Sequence, residues 1–282
     1  MTRPATLPDA VVGALRCPLC AAPFARDGRS LRCPSRHSFD LAKQGYVNLL
    51  HAGVPAGTAD TAEMVAARVA FLDGGHYAGL RDRLAEVTAS ETGGEGLVVD
   101  AGAGTGYYLA GVLERLPGAA GLALDVSAVA LRRAAKAHPR LGAAVWNLWE
   151  PWPVADGSAA VVLNVFAPRN GPEFRRVLRP GGSLLVVSPE RGHLAELASV
   201  APVLEVDARK EERLDAALSD HFELVSRETL RERVVWKPDD IRHAVRMGPT
   251  GHHPDRLTAL TDVTEPAEVT IAFSLSRYRR TT

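Results

Sequence analysis

The chain has 282 residues, 46% of them apolar and 23% charged, and its 33 basic side chains balance 33 acidic ones. That size and composition suit a globular protein with one large domain, or a large domain with a small appendage. Zero net charge argues against a protein that coats nucleic acid, and no apolar run approaches the ~18 residues of a membrane span. The opening residues lack a charged-then-apolar signal segment, so a cytoplasmic address with no membrane partner is expected.

Residues 1–50 contain all three cysteines. Cys17-Pro-Leu-Cys20, twelve residues, Cys33, three residues and His37 is a zinc-finger spacing. A CxxC knuckle offers two thiolates from one tight turn, and the Cys-x3-His pair completes a tetrahedral set for structural Zn2+. A reduced CxxC with redox duty would leave Cys33 and His37 unexplained, and no thioredoxin-like βαβ pattern follows. A loop-rich segment this short cannot bury an adequate core unaided, which is the usual setting for a metal staple. Six Arg and one Lys face three Asp here, a local charge of +4 that leaves −4 for residues 51–282. Arg16, Arg26, Arg29, Arg32, Arg36 and Lys43 accompany the metal set. Arginine forks suit phosphate, which makes the module a candidate RNA handle; a solvated surface on a small module explains the same charge.

Residues 51–60 (HAGVPAGTAD) read as a linker. Asp60 or Thr61 then caps a helix with Glu63 in its first turn and an apolar stripe of Met64, Val65, Val69, Phe71 and Leu72. Gly74-Gly75 stops it, and a second helix covers about Leu80–Val87. From Gly96 onward strands and helices alternate. A strand at Leu97–Val99 runs into Asp100-Ala-Gly102-Ala-Gly104-Thr-Gly106, followed by a helix over Tyr107–Leu116. A strand at Gly121–Leu124 ends at Asp125, and Ser127 caps a helix reaching about His138. Further strands fall near Ala143–Trp146 and Ala159–Asn164, a helix near Pro172–Leu178, and a continuous apolar strand at Ser183–Ser188. Two longer strands, Phe222–Arg233 and Glu268–Tyr278, enclose an insertion of helices. Apolar strands with crossover helices indicate a mostly parallel sheet covered on both faces.

A lone GxGxG after a strand says only that backbone must approach a ligand beside a helix N-terminus. Here Asp100 precedes the first glycine, and Asp125 ends the next strand, where it can hold ribose hydroxyls. NAD enzymes share that layout. The turn and strand Leu178-Arg-Pro180-Gly181-Gly182-Ser-Leu-Leu-Val-Val187 resembles the fifth-strand signature of class I methyltransferases, and the terminal strand pair resembles their antiparallel edge. S-adenosylmethionine is therefore the expected cofactor. The fold class is α/β: a Rossmann-like, mostly parallel seven-stranded class I S-adenosylmethionine-dependent methyltransferase sheet with a small N-terminal zinc-binding module.

Nearly the whole chain resembles the bacterial 23S rRNA (guanine-N1)-methyltransferases. The resemblance rests on the metal quartet, on His37–Asp40 and Lys43–Leu50, on Asp60–Arg68 leading to Gly75-His76-Tyr77, and on Asp100–Tyr108. It continues through Asn164-Val-Phe-Ala-Pro168-Arg169-Asn170 and Gly192-His193-Leu194. Met247-Gly-Pro249-Thr-Gly-His252-His253 looks like the branch associated with tylosin-type macrolide resistance. The resemblance implies methylation of guanine N1 in a domain II hairpin loop of 23S rRNA at the peptide exit tunnel. It also implies a homodimer whose paired zinc modules help form an RNA cleft.

By position Tyr77, Gly106, Tyr107 and His193 match family residues lining the cofactor pocket, beside Asp100, Gly102, Gly104 and Asp125. Asn147 stands where related sequences often have Asp; its amide oxygen can still accept from an adenine amino group. Three stretches follow: 1–50 as a zinc-binding RNA-recognition module, 51–90 as linker and helices contacting the cofactor site, and 91–282 as the methyltransferase domain. For catalysis Asn164 can hydrogen-bond the base and Phe166 can stack on it, although a strand-end amide and a core phenylalanine explain both. His193, His252, His253 or water can take the N1 proton. Trp146, Trp149 and Trp152 suit core or dimer packing better than RNA stacking. A small-molecule methyltransferase braced by zinc, or a non-catalytic RNA-binding protein, are the competing functions.

Overall fold

The computed structural model of the protein describes residues 6–52, 59–199 and 210–281. Most of the expected linker, residues 53–58, lies outside the described residues. The N-terminal module opens with helix α1 (Asp9–Ala14), followed by β1 (Ala25–Asp27), β2 (Ser30–Arg32) and β3 (Ser38–Asp40) in one small antiparallel sheet. Strand β4 (Val47–Asn48) comes next. Helix α2 (Ala62–Asp73) starts at Thr61, the second of the two expected caps, whose hydroxyl accepts from the Met64 N–H at 3.3 Å. The second helix is longer than its apolar stripe suggests: α3 (Ala78–Thr92) runs on until Gly93 turns left-handed, φ +66°.

The alternation follows as β5 (Glu95–Ala101), α4 (Tyr107–Arg115), β6 (Gly118–Asp125), α5 (Ala128–Ala137), β7 (Leu141–Val145), β8 (Ala159–Val165), α6 (Gly171–Val177) and β9 (Leu178–Pro189). A short 3-10 turn (Ala195–Ser199), α7 (Lys210–Leu218) and β10 (Phe222–Trp236) come next. The insertion is α8 (Pro238–Met247) with two 3-10 turns, and β11 (Ala267–Arg280) closes the chain. Ser127 caps α5 as expected, accepting from the Ala130 N–H. No helix among the described residues is long and apolar enough to cross a membrane.

The main sheet has the order β10-β11-β9-β8-β5-β6-β7-β4. Only β11 is antiparallel to its neighbours, β9 and β10; the other pairs are parallel. Seven of these strands are the expected set, and the eighth is a correction to it. β4 belongs to the N-terminal module and joins the sheet edge beside β7, Val47 opposite Ala144 and Asn48 opposite Val145. An edge strand leaves N–H and C=O groups unpaired, and β4 covers the C-terminal end of β7.

Each face of the sheet has its own apolar layer. On one side Leu84 of α3, Leu109 and Val112 of α4, Leu131 of α5 and Ile241 of α8 pack with Phe71 of α2. On the other, Val11 of α1, Cys17, Leu31 and Cys33 pack with Trp146, Trp152, Phe174 of α6 and Leu218 of α7. The N-terminal module therefore shares a core with the sheet. A Cβ on Gly142 of β7 would lie 2.8 Å from Val11 Cγ1, so α1 sits tightly on that strand. The tryptophans divide: Trp146 and Trp152 are core, whereas Trp149 is 65% exposed.

Candidate metal centre and cofactor cavity

Cys17, Cys20, Cys33 and His37 converge, with all four ligand atoms within 4.8 Å of one another. Cys20 Sγ lies 3.6 Å from Cys33 Sγ, and His37 Nδ1 lies 3.4 Å from both Cys17 Sγ and Cys33 Sγ. Zinc–thiolate arms of ~2.3 Å in a tetrahedron give edges of ~3.8 Å, so these spacings suit one Zn2+ ion. Two tight turns make the convergence possible. Ala21 N–H donates to Cys17 O at 2.8 Å in the first, and Arg36 N–H donates to Cys33 O at 2.9 Å in the second. Ala21 and Arg36 hold positive φ of 55° and 65° there. Buried Cys17 and Cys33 join the adjoining core, so the site staples the module where it meets the sheet.

The glycine loop runs from β5 into α4. Gly102 has φ +85°, and a Cβ on it would lie 2.3 Å from the Ala167 Cβ. Gly106 has φ +78°, and a Cβ on it would lie 3.0 Å from Ala134 of α5. Asp125, at the end of β6, anchors this loop: its Oδ2 accepts from the Gly104 N–H and its Oδ1 from the Ser127 N–H, both at 2.8 Å. Burial raises the Asp125 pKa, the two backbone donors oppose that shift, and the nearby charge of Asp60 adds to it.

In front of the loop lies a cavity of about 1000 Å³. Its wall includes Asp100, Gly102, Gly104, Tyr77, Tyr107 and His193 among the expected cofactor residues, and Phe166 from the loop after β8. Gly106, Asp125 and Asn147 are not part of that lining, and Asp125 is tied to it through the Gly104 N–H. Asp100 is 1% exposed, yet neither carboxylate oxygen has a hydrogen-bond partner. Desolvation and the neighbouring Asp125 push its pKa up to about 8. A buried carboxylate without donors is costly, so the site suits a ligand bearing positive charge. Methionyl sulfonium and amino groups have that chemistry, and the residues present fit S-adenosylmethionine.

Several expected site residues have structural commitments. His193 Nδ1 lies 3.2 Å from the Ala272 N–H and must accept from it. A neutral imidazole then carries its proton on Nε2, which faces the Tyr77 hydroxyl at 3.3 Å. In this geometry His193 is a donor toward the cavity, and a role as proton acceptor is disfavoured. Asn164 is fully buried; its Nδ2 donates to Ala101 O and Pro168 O at 3.3 and 2.9 Å, which braces the loop after β8. Only its Oδ1 is left without a partner. Asn147 Oδ1 accepts from the Trp149 N–H at 3.1 Å and closes a turn.

Phe166 is 42% exposed and holds φ +54°, an unusual conformation for an aromatic residue and one that marks functional sites. Tyr77, Tyr108 and Phe273 surround it, with ring centroids 6.4, 6.4 and 5.2 Å away. Burial pushes the Tyr77 and Tyr108 hydroxyls well above their ordinary range, so both stay protonated donors.

Sequence reasoning missed much of the remaining wall. Arg68 of α2 pairs with Asp60, donates to Met247 O at 2.8 Å, and reaches over the loop near Gly104. Asp60 and Arg68 belong to a motif that is legible in the chain, but only tertiary contact places it over the glycines. The wall also takes Met64, Arg169 and Thr250 from segments remote in sequence, together with His252, one of the expected candidates for taking the proton.

Among the basic residues of the module, Arg16 Nη1 donates to Gly13 O and Leu15 O, and Arg29 Nη2 to Leu41 O and Ala42 O. Arg26 pairs with Asp9, and Arg32 with Asp27 at 3.0 Å. Arg36 and Lys43 are exposed and carry no salt bridge among the described residues. Four of the six basic residues read as an RNA handle thus also tie the module together.

The family description "RlmA, N-terminal", a zinc ribbon, matches residues 15–53. The chain is 52% identical over 247 residues to the 23S rRNA (guanine(748)-N(1))-methyltransferase of Streptomyces fradiae, spanning 87% of this chain and 88% of that one. It is 50% identical over 286 residues to a Micromonospora griseorubida protein assigned to 23S rRNA guanine-N1 methylation, spanning 94% and 97% of the two chains. A solved Bacillus halodurans structure assigned as a methyltransferase is similar in fold, with a TM-score of 0.50 at 18% identity over 71% of this chain and 99% of that one.

Proposed function

Because the chain belongs to the family of bacterial 23S rRNA (guanine-N1)-methyltransferases, we propose that it methylates N1 of a guanine in a domain II hairpin loop of 23S rRNA at the peptide exit tunnel. The observation that carries this reading to a particular site is the unpartnered Asp100 carboxylate beside a glycine loop in a cavity of about 1000 Å³. S-adenosylmethionine supplies an already activated methyl group there, so the protein's tasks are positioning and proton removal.

Asp100 faces the positive charge of the cofactor. Asp125 offers its remaining lone pairs to ribose hydroxyls, while Gly102, Gly104 and Gly106 let backbone come close. Tyr77, Tyr107 and His193 bound the pocket. The target guanine must present its Watson–Crick edge, so it is splayed from its loop. It stacks on Phe166, and Asn164 acts by holding the loop that carries this ring. The metal module stands on the RNA side, with Arg36 and Lys43 offering phosphate contacts and Arg32 at their rim. Two copies of the chain pair to form the RNA cleft. Ribosomal RNA is the partner, and the bacterial cytoplasm is where it is met. Methylation at this loop protects the tunnel from tylosin-type macrolides.

Mapping of modified guanines in 23S rRNA from cells with and without the gene tests this reading, alongside macrolide susceptibility. One new reverse-transcription stop at a domain II guanine is expected. A chain that binds S-adenosylmethionine yet produces no such stop is a methyltransferase of another substrate.

A further inference from the structure

The loop after β8 continues past Phe166 to Arg169, which also lines the cavity. Its Nη2 donates to Ser188 Oγ at 2.8 Å, while its Nε is buried with no partner. Among the described residues no carboxylate pairs with it. The Tyr278 hydroxyl is a neutral neighbour already bonded to Asp215 at 2.5 Å. Asp215 is in turn bridged to Arg227 at 2.7 Å. Burial without a counter-ion lowers the Arg169 pKa from its ordinary value, yet guanidinium remains charged. The cavity therefore contains a cation held for a ligand.

The ligand is a base edge. The wall beside Arg169 is made of Pro168, Pro189, Leu214 and Ala217, flat apolar surfaces suited to an aromatic heterocycle and poor for a hydrated phosphate. Arg169 also lies three residues from the ring on which the guanine stacks. We propose that Arg169 reads the 6-oxo group of the target guanine and stabilises the negative charge that gathers on it as N1 loses its proton. This rests on the guanine-N1 reading above.

The N1–H bond breaks to a water molecule, and the resulting anion is shared between N1 and O6. The N1 electron pair then forms the bond to the methyl carbon while the carbon–sulfur pair stays on sulfur, leaving a neutral thioether. A guanidinium at O6 lowers the energy of that anion, which relieves the site of needing a strong base. This agrees with the donor tautomer of His193. Adenine would turn an amino group toward the same cation, so the contact also selects guanine.

The test uses the full chain and a hairpin RNA carrying the target guanine, with inosine in its place as a second substrate. Arg169→Gln is expected to lower kcat about 100-fold, the scale of losing one preorganised donor to a developing oxyanion. RNA and cofactor affinity should stay within about twofold, far below the scale of a lost charged hydrogen bond. The pH at which the rate rises should move upward, because the group titrating is guanine N1. Other titratable groups lining the cavity include Asp60, Tyr77, Asp100, His193, Arg213 and His252, and none of them is altered by the variant. Arg169→Lys should restore part of the rate. Inosine keeps the 6-oxo group and N1–H, so it should show the same dependence on Arg169.

A variant with kcat near wild type overturns the proposal. So does a loss confined to RNA affinity with an unchanged pH profile, which would make Arg169 a phosphate contact. Should the wild-type chain methylate no guanine at all, the guanine-N1 reading itself fails, and that result is distinct from an active wild type matched by an equally active variant.

Discussion

The metal quartet and the cofactor cavity are built in opposite ways. Four ligands drawn from 21 consecutive residues meet at 3.4–3.6 Å, each within reach of another. The cavity draws on α2, the glycine loop, the loop after β8, α7 and α8, and leaves Asp100 and Arg169 with unpaired polar atoms. One site is organised by its own chain segment and closed; the other is organised by the whole fold and open. A structural ion suits the first, and a charged ligand that comes and goes suits the second.

Removing the metal should produce the largest effect if the closed site also holds the sheet edge. Cys17→Ser, or chelation, is expected to abolish zinc content and loosen the core shared by Cys17, Leu31 and Val47. A loss of ~4 kcal/mol would lower Tm by roughly 10 °C in a chain of this size. An unchanged Tm measured by calorimetry would show that the module and sheet are energetically separate.

Gly102→Ala attacks the open site through the backbone. The added methyl overlaps Ala167 in a left-handed conformation, which costs ~1–3 kcal/mol of strain. Displacement of the loop should weaken cofactor binding by about 10- to 100-fold in titration calorimetry, the affinity equivalent of that strain. Zinc content should be untouched.

Asp100 gives the comparison a pH signature. It ionises near 3.8 in the unfolded chain, but the folded, empty protein retains its proton up to about 8. Stability of the empty protein should therefore fall as pH rises between those values and level off above them. A cationic ligand favours the carboxylate, so cofactor binding at pH 7 should release a proton and tighten as pH approaches 8. Calorimetry in buffers of different ionisation enthalpy measures that proton. Asp100→Asn should remove it, and a variant still releasing it would point to another group.

The smallest effects concern the module's surface. Arg36→Glu and Lys43→Glu should weaken RNA binding and reduce the salt slope by about one for each phosphate no longer neutralised. Arg32→Glu should weaken it less, because Arg32 already pairs with Asp27, and cofactor affinity should be unchanged in all three. Equal RNA affinity across the set, in filter binding over a salt series, would remove the module from RNA recognition.

Much of this was readable along the chain. The metal spacing, the acids before and after the glycines, and the alternating apolar strands each express a short-range rule: a turn, a strand end, a period. What escaped were contacts between distant segments. Arg68 over Gly104, Arg169 beside Ser188, and β4 against β7 have no local signature, because an arginine or a two-residue strand looks the same wherever it docks. Asn164 and His193 stand in motifs that are legible in the chain, and of the two only His193 lines the cavity. Which of their atoms were already committed depended on Ala101, Pro168 and Ala272, residues that enter the site only when the strands align.

Residue spacing alone was enough to set the metal quartet and the class of sheet, because each depends on atoms joined by a few bonds of backbone; the kind of cofactor followed from the resemblance to class I methyltransferases. Packing assigned the charges their partners. Asp100 and Arg169 are ordinary polar residues in the chain and become ligand-seeking groups only in the fold, where burial strips their water and no opposite charge replaces it.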